Sequence, residues 1–512
     1  MAADSRALPL VWSNALDGET GSYLLQPMSR EEFAHRIEEL SCPLDSRPES
    51  ASELEALLTE NPDPSSPFDP ENLAHAGWGL LSKLNLGASI RQGVGRLFGA
   101  RPFLPEDLSQ AGWGVVFPVG TPPEVRRALA ELLSHRKRQV SQGLRYRELE
   151  YRPGESASDF AKRHAASVLC CDPDRLPYYL LLVASPEVIP FDFQSTLDIH
   201  HAVGRLDLGA PEDYAAYARA VVARETGAPA GSPRGAFFAP ANPGDASSNQ
   251  ARSWLIEPLA EELAPEARAL GWRFDSHLAE NATKEKLAGC FDSDRPLLLL
   301  SSCHGMLYPE GHPVQRRRQG AMVCQDWPGP EAWNGGPVPR QFFFSGEDVP
   351  REARLDGMVV FHVGCFGAGT PRLSSFPQGP QRPLAERDFV GYLPQRLLAQ
   401  GALAVVSHID LSWAYSYLSL DGRSRLGTFR DALRALLRGA PVGLALDAFN
   451  RRYGRLFGLL QAERRCLQRA PLRDRARLAI LSTACYDARG YVVLGDPAVR
   501  LPVAGAPPAS HG

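Results

Sequence analysis

The sequence lacks a strong excess of either charge. Its 55 lysine and arginine residues nearly balance its 59 aspartate and glutamate residues, so the formal net charge at pH 7 is −4 and the isoelectric point is near 6.3. A protein whose main partner is a nucleic acid normally carries a basic patch or an overall basic charge. The composition therefore predicts that nucleic acid is not a partner.

The sequence also lacks a long hydrophobic run. No apolar stretch approaches the roughly 20 residues that a membrane-spanning helix needs. A secretion signal has a basic segment followed by an apolar one, whereas residues 1–21 carry acidic residues early and lack that pattern. We expect a cytoplasmic protein with no membrane partner.

Cysteine is scarce and irregularly placed. The chain has nine cysteines in 512 residues, and no two of them are spaced as a CxxC pair. Secreted proteins that rely on disulfides carry more cysteines in more regular patterns. The cysteine content therefore predicts a reducing compartment and no disulfide framework.

Apolar runs and amphipathic stretches alternate along most of the chain. The hydrophobic content of 44% is ample for a large core. Short apolar runs that end in turn residues are typical of buried parallel strands, and the amphipathic stretches between them are typical of helices. The alternation predicts an α/β fold with a mostly parallel sheet and helices on both faces. The predicted strands lie within residues 176–191, 234–245, 296–306, 356–371 and 401–413, and the predicted helices within residues 211–225, 251–271 and 389–401.

Two of the predicted strands end in residues that carry chemistry. The run PLLLLSSCHGM at residues 296–306 leads to His304, and the run DGMVVFHVGCFGAGTP at residues 356–371 leads to Cys365. If these strands are neighbours in a parallel sheet, both side chains emerge at the carboxyl edge, where α/β proteins collect catalytic groups. A cysteine nucleophile acts as a thiolate and needs an imidazole beside it. His304 and Cys365 are therefore predicted to form a catalytic pair.

Glycines accompany both residues. Gly305 comes directly after the histidine, and Gly364, Gly367 and Gly369 surround the cysteine. A residue without a side chain allows backbone amides to approach a substrate carbonyl closely. Such amides stabilise the oxyanion of a tetrahedral intermediate. The glycines thus favour catalysis over a structural role for the pair.

Two other interpretations are considered. Cys303, His304, His362 and Cys365 are potential zinc ligands, but adjacent residues of a strand point to opposite faces, and the closely spaced cysteine pair of zinc sites is absent. We therefore expect no metal site. The more serious alternative is a catalytically silent module that binds or scaffolds other proteins, in which the pair survives by accident.

The two motifs resemble those of the caspase/gingipain clan of cysteine peptidases, in which a strand ending in His-Gly precedes a strand ending in the nucleophilic cysteine. The gingipain branch is the most similar, with relatives among bacterial caspase-like proteins that include the CHAT group. Further likeness lies in YYLLLVASPEVIPFDF at residues 178–193, HAVGRLDL at 201–208, GALAVVSHIDLSWAYS at 401–416 and YVVLGDPAVRLP at 491–502.

The resemblance implies a caspase-hemoglobinase fold and a peptidase that needs no cofactor. Peptide bonds would be hydrolysed through an acyl-enzyme on Cys365, with His304 as acid and base and the backbone amides of Gly305 and Cys365 as the oxyanion hole. Gingipains are exported, whereas this chain shows no export signal, so a regulated intracellular endopeptidase fits better. A role in bacterial defence or cell death is what the intracellular relatives suggest.

The resemblance also divides the chain. Residues 111–230 are predicted as an α/β subdomain similar to the first gingipain subdomain, residues 231–505 as the caspase-like catalytic domain, and residues 506–512 as a tail. Residues 1–110 are predicted as an additional α/β region of unknown role, partly loop, because residues 44–72 are rich in proline, serine and acidic residues. This region is the expected place for an activating or inhibitory partner.

Substrate selection is assigned by the resemblance to two stretches. The loop after the strand that follows the nucleophile lines the pocket for the residue before the cut, which here gives Ser407, His408 and Trp413. The charged base of that pocket comes from a helix start upstream of the histidine, where either Asp245 or Arg252 falls. Asp245 would select basic side chains and Arg252 acidic ones. Both residues also suit the capping or solvation of a helix start, and the sequence does not decide between these roles.

Overall fold

A computed structural model gives the fold of the chain. It describes residues 13, 15–26, 28, 29, 32, 102–140, 145–168, 170–227, 232–292, 295–376, 382–419, 423–469 and 475–503. Most of the predicted N-terminal region, including residues 44–72, lies outside the described residues, and so does the predicted tail at 506–512.

The strands of the described chain form one large sheet and two small ones. They are β1 (Ala15–Asp17), β2 (Trp113–Pro118), β3 (Tyr146–Tyr151), β4 (Tyr179–Val183), β5 (Ala202–Leu206), β6 (Arg234–Ala239), β7 (Arg273–Leu278), β8 (Leu298–Ser302), β9 (Gly305–Leu307), β10 (Met322–Val323), β11 (Phe343–Phe344), β12 (Val359–Val363), β13 (Gly369–Thr370), β14 (Phe389–Val390), β15 (Ala404–His408) and β16 (Tyr491–Gly495).

The large sheet has ten strands in the order β3-β2-β4-β5-β16-β15-β12-β8-β6-β7. Every neighbouring pair is parallel except β15 and β16, which are antiparallel. The sheet therefore consists of two parallel blocks that run in opposite directions and meet where β16 pairs with β15. The predicted α/β fold with a mostly parallel sheet is confirmed. The predicted domain boundary at residues 230 and 231 falls between β5 and β6 in sequence and stays a prediction.

Helices connect the strands. They are α1 (Leu108–Ala111), α2 (Pro123–Ala128), α3 (Ala130–Gln139), α4 (Ala157–Arg163), α5 (Phe191–Leu197), α6 (Pro211–Thr226), α7 (Ala246–Ala251), α8 (Glu257–Ala269), α9 (Lys284–Cys290), α10 (Gln315–Arg318), α11 (Tyr392–Ala399), α12 (Gly427–Leu437), α13 (Val442–Ala445), α14 (Asp447–Arg469) and α15 (Arg475–Arg489). A π-helix at Arg252–Ile256 joins α7 to α8, and 3-10 turns lie at Ala279–Asn281, Arg340–Phe342 and Ala414–Ser416. Within the ranges given above, each helix is too short or too polar to cross a membrane.

The middle of the large sheet is buried on both faces. Every residue of β4, β5, β8, β12, β15 and β16 is buried, as is usual for parallel strands in an α/β protein. Strands in this position place apolar side chains on both faces, because neither face meets water. This two-sided burial explains why these segments are mostly apolar in the sequence and show no regular alternation.

A small sheet continues from the carboxyl edge of β8. Its order is β1-β9-β10-β11, and β9 begins directly after His304. β1, from the N-terminal end of the described chain, pairs in parallel with β9, whereas β10 is antiparallel to both β9 and β11. A second small sheet, β13 with β14, follows Cys365. Both reactive residues thus lie where the large sheet gives way to the small ones.

A buried ion cluster connects helices α3 and α6 to the turn after β16. Arg136 on α3 pairs with Asp496, directly after β16, at 2.7 Å between Nε and Oδ2, and with Glu225 on α6 at 2.6 Å between Nη1 and Oε2. The indole Nε1 of Trp113 donates to Oδ1 of Asp496 at 3.0 Å. Burial alone would raise the pKa of Glu225, but the charge of Arg136 and the hydrogen bonds from His135 and Arg136 lower that pKa to about 2. Glu225 is therefore ionised at neutral pH.

Replacing Arg136 by methionine should lower the free energy of unfolding by about 3–5 kcal/mol, because two buried carboxylates lose their cation. Urea unfolding followed by circular dichroism measures the change. The matched control is Arg138→Met, an exposed arginine on the same helix, which should change the free energy by less than about 0.5 kcal/mol. Equal losses of stability in the two variants would contradict the structural role of the cluster.

Candidate active site

Neighbouring strands bring His304 and Cys365 to one edge of the large sheet. β8 and β12 pair in parallel with Ser302 opposite Val363, and the amide of Cys303 donates to the carbonyl of Val363 at 3.3 Å. His304 and Cys365 each lie two residues beyond that last pair. The register of the two strands therefore sets both residues at the same level of the carboxyl edge.

The backbones that carry the two residues lie in very close contact. A Cβ atom on Gly305 would lie 1.8 Å from the carbonyl oxygen of Cys365 and 3.1 Å from its amide nitrogen. A side chain at this position would overlap the backbone, so only glycine fits there. Phe366 adopts a left-handed φ of 59°, and its amide donates to the carbonyl of Asp410 at 3.0 Å. This turn leads the chain away from the end of β12.

A buried carboxylate holds the ring of His304. Nε2 of His304 lies 2.8 Å from Oδ2 of Asp245, and the exposed fractions of the two residues are 1% and 0%. Nδ1 of the same ring is buried and makes no hydrogen bond with the described residues. Tyr23 and Trp327 lie beside the ring, with centroid distances of 5.5 Å and 6.2 Å. One ring nitrogen is thus fixed, while the other has capacity for proton exchange.

Asp245 reaches this position because of the strand order. It lies in the turn between β6 and α7, where it accepts hydrogen bonds from the amides of Ser247 at 3.0 Å and Ser248 at 3.3 Å. Its Oδ1 also accepts a hydrogen bond from the hydroxyl of Tyr23 at 2.7 Å. Because β6 pairs in parallel with β8, the turn that carries Asp245 and the turn that carries His304 lie at the same edge.

The surroundings keep Asp245 ionised. Burial alone would raise the pKa of Asp245, but the charge interaction with His304 and hydrogen bonds from His304, Tyr23 and Ser248 lower the pKa below its ordinary value. For Tyr23, burial and the nearby charge of Asp245 raise the pKa of the hydroxyl, so this group stays protonated and donates.

Cys365 lies in a covered position. Its Sγ accepts a hydrogen bond from the amide of Ser412 at 3.1 Å, and the thiol donates to the carbonyl of the same residue at 3.6 Å. The side chain has no exposed surface and belongs to an apolar cluster with Leu307, Phe366 and Trp413. The apolar cover keeps solvent away from the sulfur.

The residues predicted to line the specificity pocket are all buried. Ser407 and His408 are wholly buried. The hydroxyl of Ser407 donates to the carbonyl of His362 at 2.8 Å, and Nδ1 of His408 accepts a hydrogen bond from the amide of Asp410 at 3.1 Å. Burial lowers the pKa of His408 to about 4, so its ring is neutral. Trp413 is also buried and packs in the cluster that contains Cys365. A substrate role for Ser407 and His408 stays a prediction, and their burial does not favour it.

The two candidates for the charged base of that pocket have different neighbours. Asp245 faces His304 and has no exposed surface. Arg252 begins the π-helix and forms an ion pair with Glu257, with 25% of its side chain exposed. This arrangement favours an orienting role for Asp245 over charge selection. The specificity role of either residue stays a prediction.

The sequence alone does not identify a partner that orients His304. It also does not identify Tyr23 or Ser412 as residues of the site. The signal for Asp245 is nevertheless present, because it is an acidic residue in the turn after an apolar strand of the same kind as β8. Tyr23 has no such signal, since its partner Asp245 is 222 residues away in sequence. Contacts of this range depend on which strands pair, and local patterns do not specify that.

The described residues contain no group of three or more histidine, cysteine, aspartate or glutamate side chains arranged to hold a metal ion. Of the residues considered as zinc ligands, His362 is hydrogen-bonded through Nδ1 to the hydroxyl of Ser301 at 3.0 Å. Burial lowers the pKa of His362 to about 4 and raises the pKa of the Cys303 thiol. Both side chains are therefore uncharged at neutral pH.

Comparisons with known proteins find similar solved structures. No protein-family model and no curated protein matches the chain. The Arg-specific cysteine proteinase gingipain R (RGPB) has a TM-score of 0.41 and 12% identity over 76% of this chain and 78% of its own. The complex of the pro- and mature domains of Porphyromonas gingivalis RgpB has a TM-score of 0.39 and 11% identity over 76% and 80%. The Saccharomyces cerevisiae separase–securin complex has a TM-score of 0.33 and 10% identity over 63% and 16%.

Gly305→Ala should lower the free energy of unfolding by about 1–3 kcal/mol, because the new Cβ overlaps the carbonyl of Cys365 and the two backbones must separate. Urea unfolding measures the loss. The matched control is Gly458→Ala on α14, where an added Cβ meets no atom within 4 Å and should stabilise the helix by about 1 kcal/mol. Parental stability of Gly305→Ala would contradict the close backbone contact.

Proposed function

We propose that the chain is a caspase-like cysteine endopeptidase with Cys365 as nucleophile and His304 as general acid and base. The observation that carries the proposal is the 2.8 Å contact between His304 and the buried Asp245, at the edge where Cys365 follows the neighbouring strand. A buried carboxylate of this kind orients an imidazole and stabilises its protonated form. A thiolate nucleophile requires an imidazole partner, and this imidazole lies at the sheet edge that Cys365 shares, unlike that of the structural His135.

In the proposed reaction, the thiolate of Cys365 attacks the carbonyl carbon of the scissile bond and forms a C–S bond. His304 holds the proton that came from the thiol and gives it to the leaving nitrogen as the C–N bond breaks. Water then attacks the thioester while His304 accepts one of its protons. The C–S bond breaks, the acid product leaves, and the thiolate with its imidazolium partner is restored.

The amides of Gly305 and Cys365 are the proposed donors to the oxyanion. Two donors must lie within hydrogen-bond reach of the same oxygen atom to stabilise a tetrahedral intermediate. The close contact between the backbones of Gly305 and Cys365 supports this role, because it brings both residues to one place at the sheet edge. The absence of a side chain at Gly305 makes this contact possible.

A second candidate function is a catalytically silent binding or scaffold module. One observation favours it: Cys365 has no exposed surface and His304 has 1%, so a peptide does not reach them in this conformation. An enzyme with the same burial must open before it reacts. The two functions therefore differ in whether any form of the chain hydrolyses peptides.

We extend the proposal to a regulated enzyme of the cytoplasm that acts on protein or peptide substrates. The scarcity of cysteine supports a reducing compartment, and the seven cysteines whose side chains the structure describes are all buried. The need to open the site supports regulation. A peptide library varied at the residue before the cut measures whether the site prefers a basic or an acidic side chain there.

Cys365→Ala should abolish hydrolysis of a fluorogenic peptide library varied at the residue before the cut, because it removes the nucleophile. Far-UV circular dichroism should stay unchanged, since only one buried atom is lost. The matched control is Cys485→Ala, which removes another wholly buried thiol and should keep the activity. Hydrolysis that persists in Cys365→Ala would refute the assignment. A preference for basic or acidic residues would favour Asp245 or Arg252, respectively, as the charge that selects them.

Asp245→Asn should lower kcat on the order of 100-fold and leave KM near its parental value, because asparagine keeps the shape of the side chain but does not stabilise an imidazolium. Steady-state kinetics with the best peptide of the library measure both constants. The matched control is Glu257→Gln, which removes a carboxylate from a surface ion pair and should change kcat by less than about twofold. An unchanged kcat in Asp245→Asn would mean that the contact with His304 is structural.

A further inference from the structure

An N-terminal strap, defined as the described residues between 13 and 29, lies across the proposed active site. On one side, β1 runs parallel to β9 with Ala15 opposite Gly305, the residue that follows His304. On the other side, Ser13 forms an antiparallel bridge with Trp413 in the loop after β15. The strap therefore fills the slot between β9, which follows His304, and Trp413 in the loop after β15.

The side chains of the strap seal the reactive residues. Ala15 and Leu25 belong to the apolar cluster that contains Cys365, and their exposed fractions are 0% and 6%. Leu16 is wholly buried in a neighbouring cluster formed around β9 and β10. Tyr23 packs against the histidine ring and donates its hydroxyl to the carboxylate that holds it. Both members of the proposed catalytic pair thus have strap residues among the groups that bury them.

Additional hydrogen bonds fasten the strap to the surrounding loops. The amide of Gly18 donates to the carbonyl of Leu307 at 2.8 Å, and the amide of Val338 donates to the carbonyl of Gly18 at 2.9 Å. The indole Nε1 of Trp333 donates to the carbonyl of Thr20 at 3.0 Å. These bonds place the strap in one position rather than in loose contact with the edge.

We propose that the slot between β9 and Trp413 is the substrate groove of the enzyme, and that the strap occupies it and keeps the chain latent. This inference rests on the proposed peptidase function. When the strap leaves, the edge of β9 presents unpaired amides and carbonyls to an extended peptide, which pairs with them as an added strand. The substrate is therefore a protein segment in extended conformation, and it competes with the strap for one place.

The strap is bound as a blocker and not as a substrate. The carbonyl oxygen of Ala15, the residue opposite Gly305, accepts a hydrogen bond from the amide of Leu24 at 3.1 Å. This bond lies within the turn of the strap and directs the carbonyl away from the amides proposed as the oxyanion hole. A carbonyl without those donors is not activated for attack, so the strap persists in the site uncut.

Leu16→Asp tests the inference on the full chain. A charge at this wholly buried position is costly to desolvate and should release the strap. The readout is the rate at which iodoacetamide alkylates Cys365, followed by peptide mapping and mass spectrometry. We expect alkylation about tenfold faster than in the parent, as for a locally opened segment. Cys171 and Cys290, which are buried elsewhere, should stay protected and so report that the fold is intact.

Equal alkylation rates at Cys365 in the parent and in Leu16→Asp would overturn the inference. Rapid alkylation of all three cysteines would mean that the variant has unfolded, and the milder Leu16→Ala then replaces it under the same criterion. A synthetic peptide of residues 11–29 added to the opened variant should restore protection of Cys365. The same peptide carrying Leu16→Asp is the matched control and should not; if neither peptide protects, the strap is not the occupant.

Peptide hydrolysis separates this inference from the proposed function. Turnover that appears in Leu16→Asp and is weak in the parent supports both. Faster alkylation without turnover of any library peptide would leave the strap as the cover of the site and refute the peptidase. Equal turnover by parent and variant would support the peptidase and refute the latent state.

Discussion

The site depends on the parallel pairing of β8 with β12. Both strands are buried on both faces, and a slip of one residue in register would turn each side chain to the opposite face, so packing fixes the register. Because Ser302 pairs with Val363, His304 and Cys365 must reach the sheet edge together. β6 pairs with the other side of β8 and adds Asp245. Three residues far apart in sequence thus meet because three apolar strands are neighbours.

Burial accounts for both the proposed chemistry of the site and its proposed latency. The carboxylate of Asp245 is stabilised by hydrogen bonds that do not involve solvent, which strengthens its interaction with His304. One of those bonds comes from Tyr23 of the strap, so the segment that covers the site is also bonded to its charge. Departure of the strap leaves Asp245 with the amides of α7 and with the histidine. Release of the strap therefore exposes His304 and Cys365 while the contact between His304 and Asp245 remains.

The sequence predicts where the strands end better than it predicts which strands pair with each other. The apolar runs before His304 and Cys365 mark two strands, and the glycines mark the close contact at Gly305, because both signals are local. The reversal of direction at β16 is not visible, since a buried run reads the same in either direction. The burial of Ser407 and His408 is also hidden, because a strand covered on both faces shows no alternation. Asp245 and Tyr23 meet His304 through long-range pairing, which no local pattern specifies.

The most direct test of the central claim is to trap the acyl-enzyme. Intact-mass spectrometry of the Leu16→Asp chain mixed with an activated peptide ester should show one acyl group on Cys365 that forms quickly and then disappears as water hydrolyses the thioester. With His304→Ala in the same background, the adduct should form slowly or persist, because the proton acceptor for water is gone. A Cys365 that is open to iodoacetamide and yet never carries an acyl group would contradict a catalytic role for the pair.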